Sequence, residues 1–427
     1  MNNEHIAAVV MAAGLGTRMR SSTPKHLHPL LGRRIVDWVI TAAREAGAQP
    51  LVVVASPETR DRFGELEVAV QAEPLGTGDA VRAARAQLGS AGGDVLVLSG
   101  DTPLLTPEVL RGLVETHRRE RAAATVLSFE PPDPRAYGRL VRDGKSRLAR
   151  IVEAADATPE ELQLREVNSS IYVFAAEKLW PAVERLQPHN AQGELYLTDA
   201  IAILVGDGEP VAIHVAPDPA EAEGINTRVE LAAAAAALRD RINDSHMLAG
   251  VTIVDPQSTW IDAEVEIEPD VTIHPFTVVR GDVRIASGAE VGPFAFIRPG
   301  TRVGEAAKIG AFVEVKKSTI GARTKIPHLS YIGDAEIGEN TNIAAGNITA
   351  NFKHEPGQPK ATTRIGSNVR TGVDNTFDAP VEVGDDAWLA PGAVITDDAP
   401  PGSLAGFAPR QVTKKGWVYE KHGNRDD

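Results

Sequence analysis

Two periodicities of apolar residues divide the chain. Up to about residue 228, short apolar runs alternate with helical patterns. The runs predict buried strands at 6–13, 51–55, 95–99, 124–129 and 171–174. Between them, the patterns at 34–46 and 79–88 predict helices. Such alternation is typical of an α/β domain, with a mostly parallel sheet and helices on both faces.

After Gly250, one apolar residue recurs at every sixth position, with two five-residue steps. The series is Ile267, Ile273, Val279, Ile285, Val291, Ile297, Val303, Ile309, Val315, Ile320, Ile326, Ile332, Ile337, Ile343, Phe377, Val383, Leu389 and Ile395. A six-residue period predicts a parallel β-helix. Hexapeptide coils of this kind are left-handed, an exception to the usual crossover rule. The interruption at 344–364 predicts a loop that leaves the coil.

The segment between the two patterns predicts a linker helix. Residues 229–249 hold a run of alanines and contain no glycine or proline. We therefore predict three parts: an α/β domain at 1–228, a linker helix at 229–249 and a left-handed β-helix at 250–427.

Composition narrows the functional classes. A chain of 427 residues is too long for one ordinary hydrophobic core, which predicts more than one domain. The net charge of −14 argues against nucleic acid or an anionic membrane as the main partner. The absence of cysteine excludes thiolate catalysis and cysteine metal sites. The N-terminal segment has Glu4 and no Lys or Arg before its apolar run, which does not fit a signal peptide. We expect a cytoplasmic enzyme.

The glycine-rich stretch MAAGLGTRMRSSTPK (residues 11–25) follows the first predicted strand. It lacks the third glycine of a dinucleotide fingerprint, since Met19 stands there, and it lacks the Gly-Lys-Ser/Thr of an ATP-type loop. A glycine turn followed by Arg18 and Lys25 suits phosphate, because backbone amides and cations can both contact it. Taken alone, the same stretch also fits a tight turn with solvated cations.

Further motifs give this loop a context. AAGLGTRM and PKHLHPLLG are followed by QAEPLGTGDA, SGDTPLL, AYGRL, IVEAADAT, EVNSSIYVF and GINTR. In this order and spacing, the chain resembles the sugar-nucleotide pyrophosphorylases. Within them it is most similar to the bacterial bifunctional N-acetylglucosamine-1-phosphate uridylyltransferase/glucosamine-1-phosphate acetyltransferase family. The resemblance covers nearly the whole chain, including the hexapeptide half.

For the first half, the resemblance implies a Rossmann-like nucleotidyltransferase domain. A sugar 1-phosphate would attack the α-phosphorus of UTP and release pyrophosphate, with Arg18 and Lys25 as catalytic cations and Asp101 and Asn226 as Mg²⁺ ligands. The implied nucleotide and sugar contacts are Met11, Ala12, Ala13, Gly14, Gly16, Thr17, Lys25, Gln71, Gly76, Thr77, Ser99, Gly100, Asp101, Gly138, Glu153, Asn168 and Asn226.

For the second half, the resemblance implies a homotrimer that transfers an acetyl group from acetyl-CoA to glucosamine 1-phosphate. His328 in KIPHLSYIGD matches the family's catalytic base. The implied substrate contacts are Arg298, Lys316, Tyr331, Asn342, Ala345, Asn351, Phe352 and Lys360. The product, N-acetylglucosamine 1-phosphate, would then be the acceptor of the first-half reaction, giving UDP-N-acetylglucosamine.

The chain departs from the family pattern at several positions. These are Ser170, where glycine is usual, and Phe352, Lys353, His354, Val373, Pro391 and Ala408 in the second half. They leave two alternatives open: a uridylyltransferase whose β-helix serves only for trimerisation, and a nucleotidyltransferase with another sugar or base specificity.

Overall fold

The computed structural model describes residues 5–14, 16–89, 92–134, 136–352, 357–406, 413–415 and 417–422. The chain forms two compact units, Met1–Leu238 and Arg239–Asp427. The division lies within one long helix, Arg228–Leu248. The three-part division predicted from the sequence, with its boundaries at 228 and 249, stays a prediction.

The first unit is built on a nine-stranded sheet. Its main path runs, in spatial order, through Val211–Val215, Ala124–Phe129, Val167–Ala175, Asp94–Ser99, Ile6–Ala12, Leu51–Ala55 and Glu67–Val70. The hairpin of Arg139–Arg142 and Leu148–Val152 extends it at Val167–Ala175. Every pairing along the main path is parallel except those of Val167–Ala175, which is antiparallel to both neighbours.

Helices cover both faces of this sheet because its strands are apolar on both sides. In the first strand, Ala7 and Val9 pack into one core, while Ala8 and Val10 pack into the other. The first core is completed by the helices Thr77–Ala83, Arg85–Leu88, Ala176–Glu184 and Leu197–Gly206. The second is completed by Ile35–Glu45 and Pro107–Glu120. The predicted fold class of this half is confirmed.

Two local predictions in this half need correction. The single helix expected at 79–88 is two short helices, Thr77–Ala83 and Arg85–Leu88, joined at Ala84. The expected strand at 171–174 is the end of the longer strand Val167–Ala175. Its first part was missed because Asn168, Ser169 and Ser170 interrupt the apolar pattern.

The second unit is a left-handed β-helix with three parallel sheets. The first contains Thr252–Ile253, Thr272–Ile273, Glu290–Val291, Lys308–Ala311 and Lys325–His328. The second contains Trp260–Ile261, Val278–Val279, Phe296–Ile297, Glu314–Lys316, Tyr331–Gly333, Ile348–Ala350, Thr376–Asp378 and Val394–Ile395. The third contains Glu266–Ile267, Val283–Ile285, Thr301–Val303, Thr319–Ile320, Ala335–Ile337, Thr363–Ile365 and Val381–Val383. Trp388–Leu389 pairs with Leu404–Ala405.

The six-residue period determines the interior of this β-helix. Ile273 pairs with Val291, and Val291 with Ile309, so equivalent positions in successive coils are three repeats apart. Each predicted apolar position from Ile273 onward is buried, and Ile267 is half-buried. The predicted β-helix is therefore confirmed.

The predicted extent of the excursion at 344–364 was wrong at both ends, since Thr363–Ile365 is already a strand of the third sheet. Ile348–Ala350 is a strand of the second sheet, and its central residue, Thr349, is fully buried. The Thr349 hydroxyl accepts a hydrogen bond from the Gly333 amide, 2.7 Å away, which compensates for burying a polar group. A threonine at the inward position concealed this repeat from a search for apolar residues.

No helix in the described part of the chain combines the length and the apolar composition that a membrane crossing requires.

Candidate functional site

A cavity of about 440 Å³ opens where Ile6–Ala12 and Asp94–Ser99 end. In parallel α/β sheets, ligands bind outside the carboxyl ends of the strands. The cavity brings together twelve of the predicted contacts: Met11, Ala12, Ala13, Gly14, Thr17, Lys25, Gln71, Gly76, Thr77, Ser99, Gly100 and Asp101. A smaller cavity of about 190 Å³ adds Arg18 and Asn226.

The glycine turn brings its own chain close to Lys25. Gly16 has a left-handed φ of 61°, and a Cβ at this position would lie 2.5 Å from the Lys25 Cβ. Only glycine fits this conformation without displacing the lysine. The backbone of the turn therefore lies against the Lys25 side chain. This close approach brings Gly16 and Lys25, nine residues apart in the sequence, into one site.

Lys25 is the centre of a charged cluster. Its ammonium forms an ion pair with Asp101 and donates a hydrogen bond to Asn226 Oδ1, 3.0 Å away. Arg18 also donates to Asn226 Oδ1, at 2.9 Å. Residues from three distant parts of the sequence, 18–25, 101 and 226, thus meet beside the cavities.

Asp101 is held in its ionised form by this cluster. Burial alone would raise the pKa of the Asp101 carboxyl, but the Lys25 ammonium and a hydrogen bond from the Ser99 hydroxyl (2.6 Å) outweigh it. The net result is a pKa below the usual range. The carboxylate is therefore available as an anionic ligand near neutral pH.

The donor set at this place fits Mg²⁺. Asp101 Oδ2 and Asn226 Oδ1 both contact the same ammonium, so a single cation can contact both oxygens. Among the described residues, no group of three or more His, Cys, Asp or Glu could hold a metal ion. A two-oxygen site leaves the remaining coordination to water and substrate phosphates, as is common for Mg²⁺.

A neighbouring cavity of about 200 Å³ contains Glu153. Burial is the main cause of the raised pKa of the Glu153 carboxyl, and nearby Asp156 and Asp199 add to it. The Thr198 hydroxyl donates a hydrogen bond to the carboxyl at 3.2 Å. A Cβ at Gly138 would lie 3.2 Å from Glu153 Oε2, so this glycine leaves the carboxyl room.

Replacing Glu153 with glutamine should raise the melting temperature at pH 7.5 by about 2 °C. A raised pKa means that the folded state binds more protons than the unfolded one, so stability falls as pH rises above the ordinary value of 4.5. The glutamine variant lacks this loss. Thermal unfolding from pH 4 to 8 should give the two proteins equal melting temperatures at pH 4. As the pH rises, the melting temperature of the glutamine variant should increasingly exceed that of the wild type. A difference in melting temperature that stays constant from pH 4 to 8 would contradict a raised pKa of Glu153 as its cause.

Asn168 and Ser170, the remaining polar positions here, belong to a bulge in Val167–Ala175. The pairing with Ala124–Phe129 shifts register between Asn168 and Tyr172, and Ser170 has a left-handed φ of 61°. The Asn168 side chain is buried, donates to the Tyr172 hydroxyl at 2.7 Å and accepts from the Ser170 amide at 3.1 Å. Asn168 therefore stabilises the bulge rather than lining these cavities.

In the second unit, the structure brings five predicted substrate contacts into one charged region, where Arg298 pairs with Glu314 and Asp334 lies beside Lys316. The Lys360 ammonium beside Lys316 is the main cause of the lowered pKa of Lys316, and Arg298 adds to it. Asn351 Nδ2 donates to the Tyr331 hydroxyl at 3.4 Å and also to Asp334. Because two ammonium groups repel each other, a bound anion would stabilise this arrangement.

The four other predicted contacts of this unit take no part in the interactions just described among Arg298, Lys316, Tyr331, Asn351 and Lys360. His328 ends the strand Lys325–His328 with an exposed side chain that forms no hydrogen bond with the described residues. Asn342 bridges the backbones of Lys325 and Arg370, and the Ala345 carbonyl accepts from the Asp374 amide. Phe352 is exposed.

Among the departures from the family pattern, Val373 is exposed. Pro391 lies against Gly372: a Cβ added to Gly372 would be 2.4 Å from the Pro391 nitrogen. Lys353, His354 and Ala408 lie outside the described residues.

Several cavity residues were not identified from the sequence. They are His26, Pro74 and Glu194 in the cavity of about 440 Å³, Gln192, Tyr196 and Thr198 beside Glu153, and Tyr137 and Glu230 beside Asn226. Ser170, noted in the sequence only as a departure from the family pattern, lines all three of these cavities. His26 lies within the motif PKHLHPLLG, which gave it no role. Burial lowers its pKa to about 4, so its imidazole is neutral. The polar stretch NAQGELYLTD was the one signal that could have indicated Glu194 and Thr198.

Comparisons with known proteins agree with this architecture. The MobA-like NTP transferase domain family matches residues 8–201, and the bacterial transferase hexapeptide family (six repeats) matches residues 264–299. The bifunctional GlmU proteins of Streptomyces avermitilis, Mycolicibacterium paratuberculosis and Mycobacterium tuberculosis are 45%, 44% and 44% identical to this chain. The matches cover 97% of this chain and 94%, 93% and 92% of those proteins.

The fold and the cavity together define a nucleotidyltransferase domain joined to a hexapeptide-repeat transferase domain. At this identity and coverage, the chain belongs to the family of bifunctional GlmU proteins. The family, enzyme class and paired activities predicted from the sequence motifs are confirmed by this membership.

Proposed function

We propose that the cavity of the first unit transfers a uridylyl group from UTP to N-acetylglucosamine 1-phosphate. The observation that carries this proposal is the cluster of Arg18, Lys25, Asp101 and Asn226 at the ends of the parallel strands. The acceptor phosphate oxygen forms a bond to the α-phosphorus of UTP, and the bond to the pyrophosphate oxygen breaks. Both reactants are anions, so the enzyme mainly has to align them and neutralise their charge.

Each part of the cluster has a separate task in this reaction. Lys25 and Arg18 neutralise the charge that develops on the departing pyrophosphate. The amides of the glycine turn contact the same phosphates. Asp101 and Asn226 would hold Mg²⁺, which supplies charge neutralisation for phosphate oxygens when bound.

Gln71 is in place to recognise the base. Its Nε2 donates to the Gly76 carbonyl and to Asp79, both at 3.0 Å, which holds the 71–79 loop beside the cavity. With this nitrogen engaged, the carboxamide oxygen is the group offered to the uracil N–H. Cytosine has no donor at that position, so it would leave the buried oxygen unpaired.

We propose that the second unit transfers acetyl from acetyl-CoA to glucosamine 1-phosphate. Lys316, Lys360 and Arg298 would bind the sugar phosphate, because an anion relieves the repulsion between the two lysines. His328 would accept the proton that the amine loses as it attacks the thioester carbonyl, and the thiolate of coenzyme A leaves. The imidazole of His328 suits this task because it is exposed and forms no hydrogen bond with the described residues.

A homotrimer of the β-helix is also proposed. Phe276, Phe294 and Phe312 form a phenylalanine ladder along one edge, with ring centroids 4.8 and 4.9 Å apart. All three side chains are about half exposed, and all three residues have left-handed φ values between 55° and 58°. Exposed aromatic side chains in a backbone conformation that favours glycine are costly in water, which supports a surface covered by another copy of the chain.

Replacing Phe294 with aspartate should weaken self-association by on the order of 30-fold, because it places a charge in the middle of the phenylalanine ladder. Sedimentation velocity over a concentration series would show the shift to smaller species. Val394→Asp, at an exposed apolar position outside the ladder, is the matched control. A Phe294→Asp protein that remains trimeric at the same concentrations would contradict the proposed interface.

A paired assay tests the proposed function. One reaction contains UTP, Mg²⁺ and N-acetylglucosamine 1-phosphate, and the other contains acetyl-CoA and glucosamine 1-phosphate, with products identified by mass. Product in both reactions is expected. Product in the first alone would support the alternative in which the β-helix serves only for trimerisation. Reaction with other sugar phosphates or with dTTP, but not with these substrates, would support the altered-specificity alternative. We place both reactions in the cytoplasm, where UTP and acetyl-CoA are formed.

A further inference from the structure

Ser170 has a backbone conformation that is unusual for a residue with a side chain. It lies in the bulge of Val167–Ala175 at φ 61°, a region that glycine adopts freely and other residues avoid. The surrounding bonds hold it there: its amide donates to Asn168 Oδ1, and the Ile171 amide donates to the Ser169 hydroxyl at 3.2 Å. Such strain persists where the neighbouring structure fixes it, and it concentrates at functional sites.

The position of Ser170 is equally specific. It lines the cavity that contains Gln71 and Lys25, the cavity that contains Glu153, and the cavity that contains Arg18 and Asn226. Among the residues that the structure describes, it is the one that lines all three. Ser170 is therefore a common neighbour of any group that joins a ligand in the Glu153 cavity to ligands in the other two cavities.

One buried side chain fixes the backbone around Ser170. Asn168 Nδ2 donates to the Tyr172 hydroxyl oxygen at 2.7 Å, and the Tyr172 side chain is buried. The same Asn168 side chain accepts from the Ser170 amide at 3.1 Å. Asn168 therefore ties Ser170 to the strand that follows it and holds the serine where the three cavities meet.

We propose that the Ser170 hydroxyl donates a hydrogen bond to the phosphate of the sugar 1-phosphate acceptor and orients it for attack. This inference rests on the proposed uridylyl transfer. The acceptor phosphate links the sugar to the α-phosphorus, so it is the group that occupies the junction of the three cavities. An uncharged donor suits this place, because Glu153 and Glu194 line the same region and a further cation would pair with them instead.

Two variants separate the hydroxyl from the backbone strain. Ser170→Ala removes the hydroxyl and keeps a Cβ at positive φ, whereas Ser170→Gly removes both. Steady-state kinetics should show kcat/KM for N-acetylglucosamine 1-phosphate about 10-fold or more lower in both variants, with KM for UTP unchanged. The melting temperature of Ser170→Gly should rise by about 2–4 °C, and that of Ser170→Ala should not rise.

The matched control is Ser128→Ala on the adjacent strand. Ser128 is the register partner of Asn168, and its hydroxyl donates to Glu166 Oε1 at 2.8 Å, away from the three cavities. Both KM values of this variant should equal those of the wild type. An equal loss for UTP and for the acceptor in the Ser170 variants would overturn the proposal.

The remaining outcomes are also decisive. If Ser170→Gly retains wild-type kcat/KM while Ser170→Ala loses it, the backbone matters and the hydroxyl does not, which overturns the proposal. Unchanged kinetics in both variants would do the same. A wild-type protein that transfers no uridylyl group at all would instead overturn the proposed function on which this inference rests.

Discussion

Replacing Asp101 with asparagine should lower kcat for uridylyl transfer by about 10²–10³-fold while acetyl transfer continues unchanged. The carboxylate balances Lys25 and is one of the two oxygen ligands proposed for Mg²⁺. Asparagine keeps the shape but removes the charge, so Lys25 and the cation lose their anionic partner. Initial rates with saturating UTP and sugar phosphate, at several Mg²⁺ concentrations, would measure the loss.

Asp94→Asn is the matched control for this variant. Asp94 begins the strand that leads to Asp101, and it pairs with Arg118, 2.8 Å away, at the opposite end of the strand. Its replacement should reduce stability and leave kcat unchanged. Equal losses of kcat in the two variants would show that Asp101 acts through the fold and would contradict its proposed role in the site.

Replacing His328 with alanine should lower acetyl transfer by about 10²–10⁴-fold, the usual contribution of a general base, and leave uridylyl transfer intact. Because the side chain is exposed and free of hydrogen bonds with described residues, its removal leaves no unpaired buried group. Coenzyme A release and UDP-sugar formation, measured on the same preparation, would separate the two activities.

Chemical rescue makes this test specific for proton transfer. The exposed position of His328 allows added imidazole to reach the site, so imidazole should restore part of the acetyl transfer in the alanine variant. His274→Ala, a half-exposed histidine elsewhere in the β-helix, should retain full activity. Loss of both activities in His328→Ala would contradict two separate sites.

The β-helix was predictable to individual residues because its repeat is local. A six-residue period places one side chain per repeat inside the coil, so the sequence alone indicated that Ile273, Val291 and Ile309 are buried. Where a threonine occupies that place, as at Thr349, the apolar pattern ends although the coil continues. Hydropathy cannot distinguish a hydrogen-bonded threonine from a loop residue.

The nucleotide site was predictable only in part. The glycine turn and Lys25 are close in sequence, but the contact between Lys25 and Asn226 joins residues 201 positions apart. The sequence itself provides no distance for such a pair, and the resemblance to a family supplied it. Serine itself does not indicate a positive φ, so the one signal for the left-handed conformation of Ser170 was that glycine is usual at this position in the family.

We propose that one chain carries two independent sites that act in sequence. The most direct measurement uses Asp101→Asn and His328→Ala, purified separately and supplied with glucosamine 1-phosphate, acetyl-CoA, UTP and Mg²⁺. Mass spectrometry should detect almost no UDP-N-acetylglucosamine from either variant alone and near wild-type amounts from their mixture. The sugar 1-phosphate made by the first variant diffuses to the second. A mixture no more active than the separate variants would contradict the account.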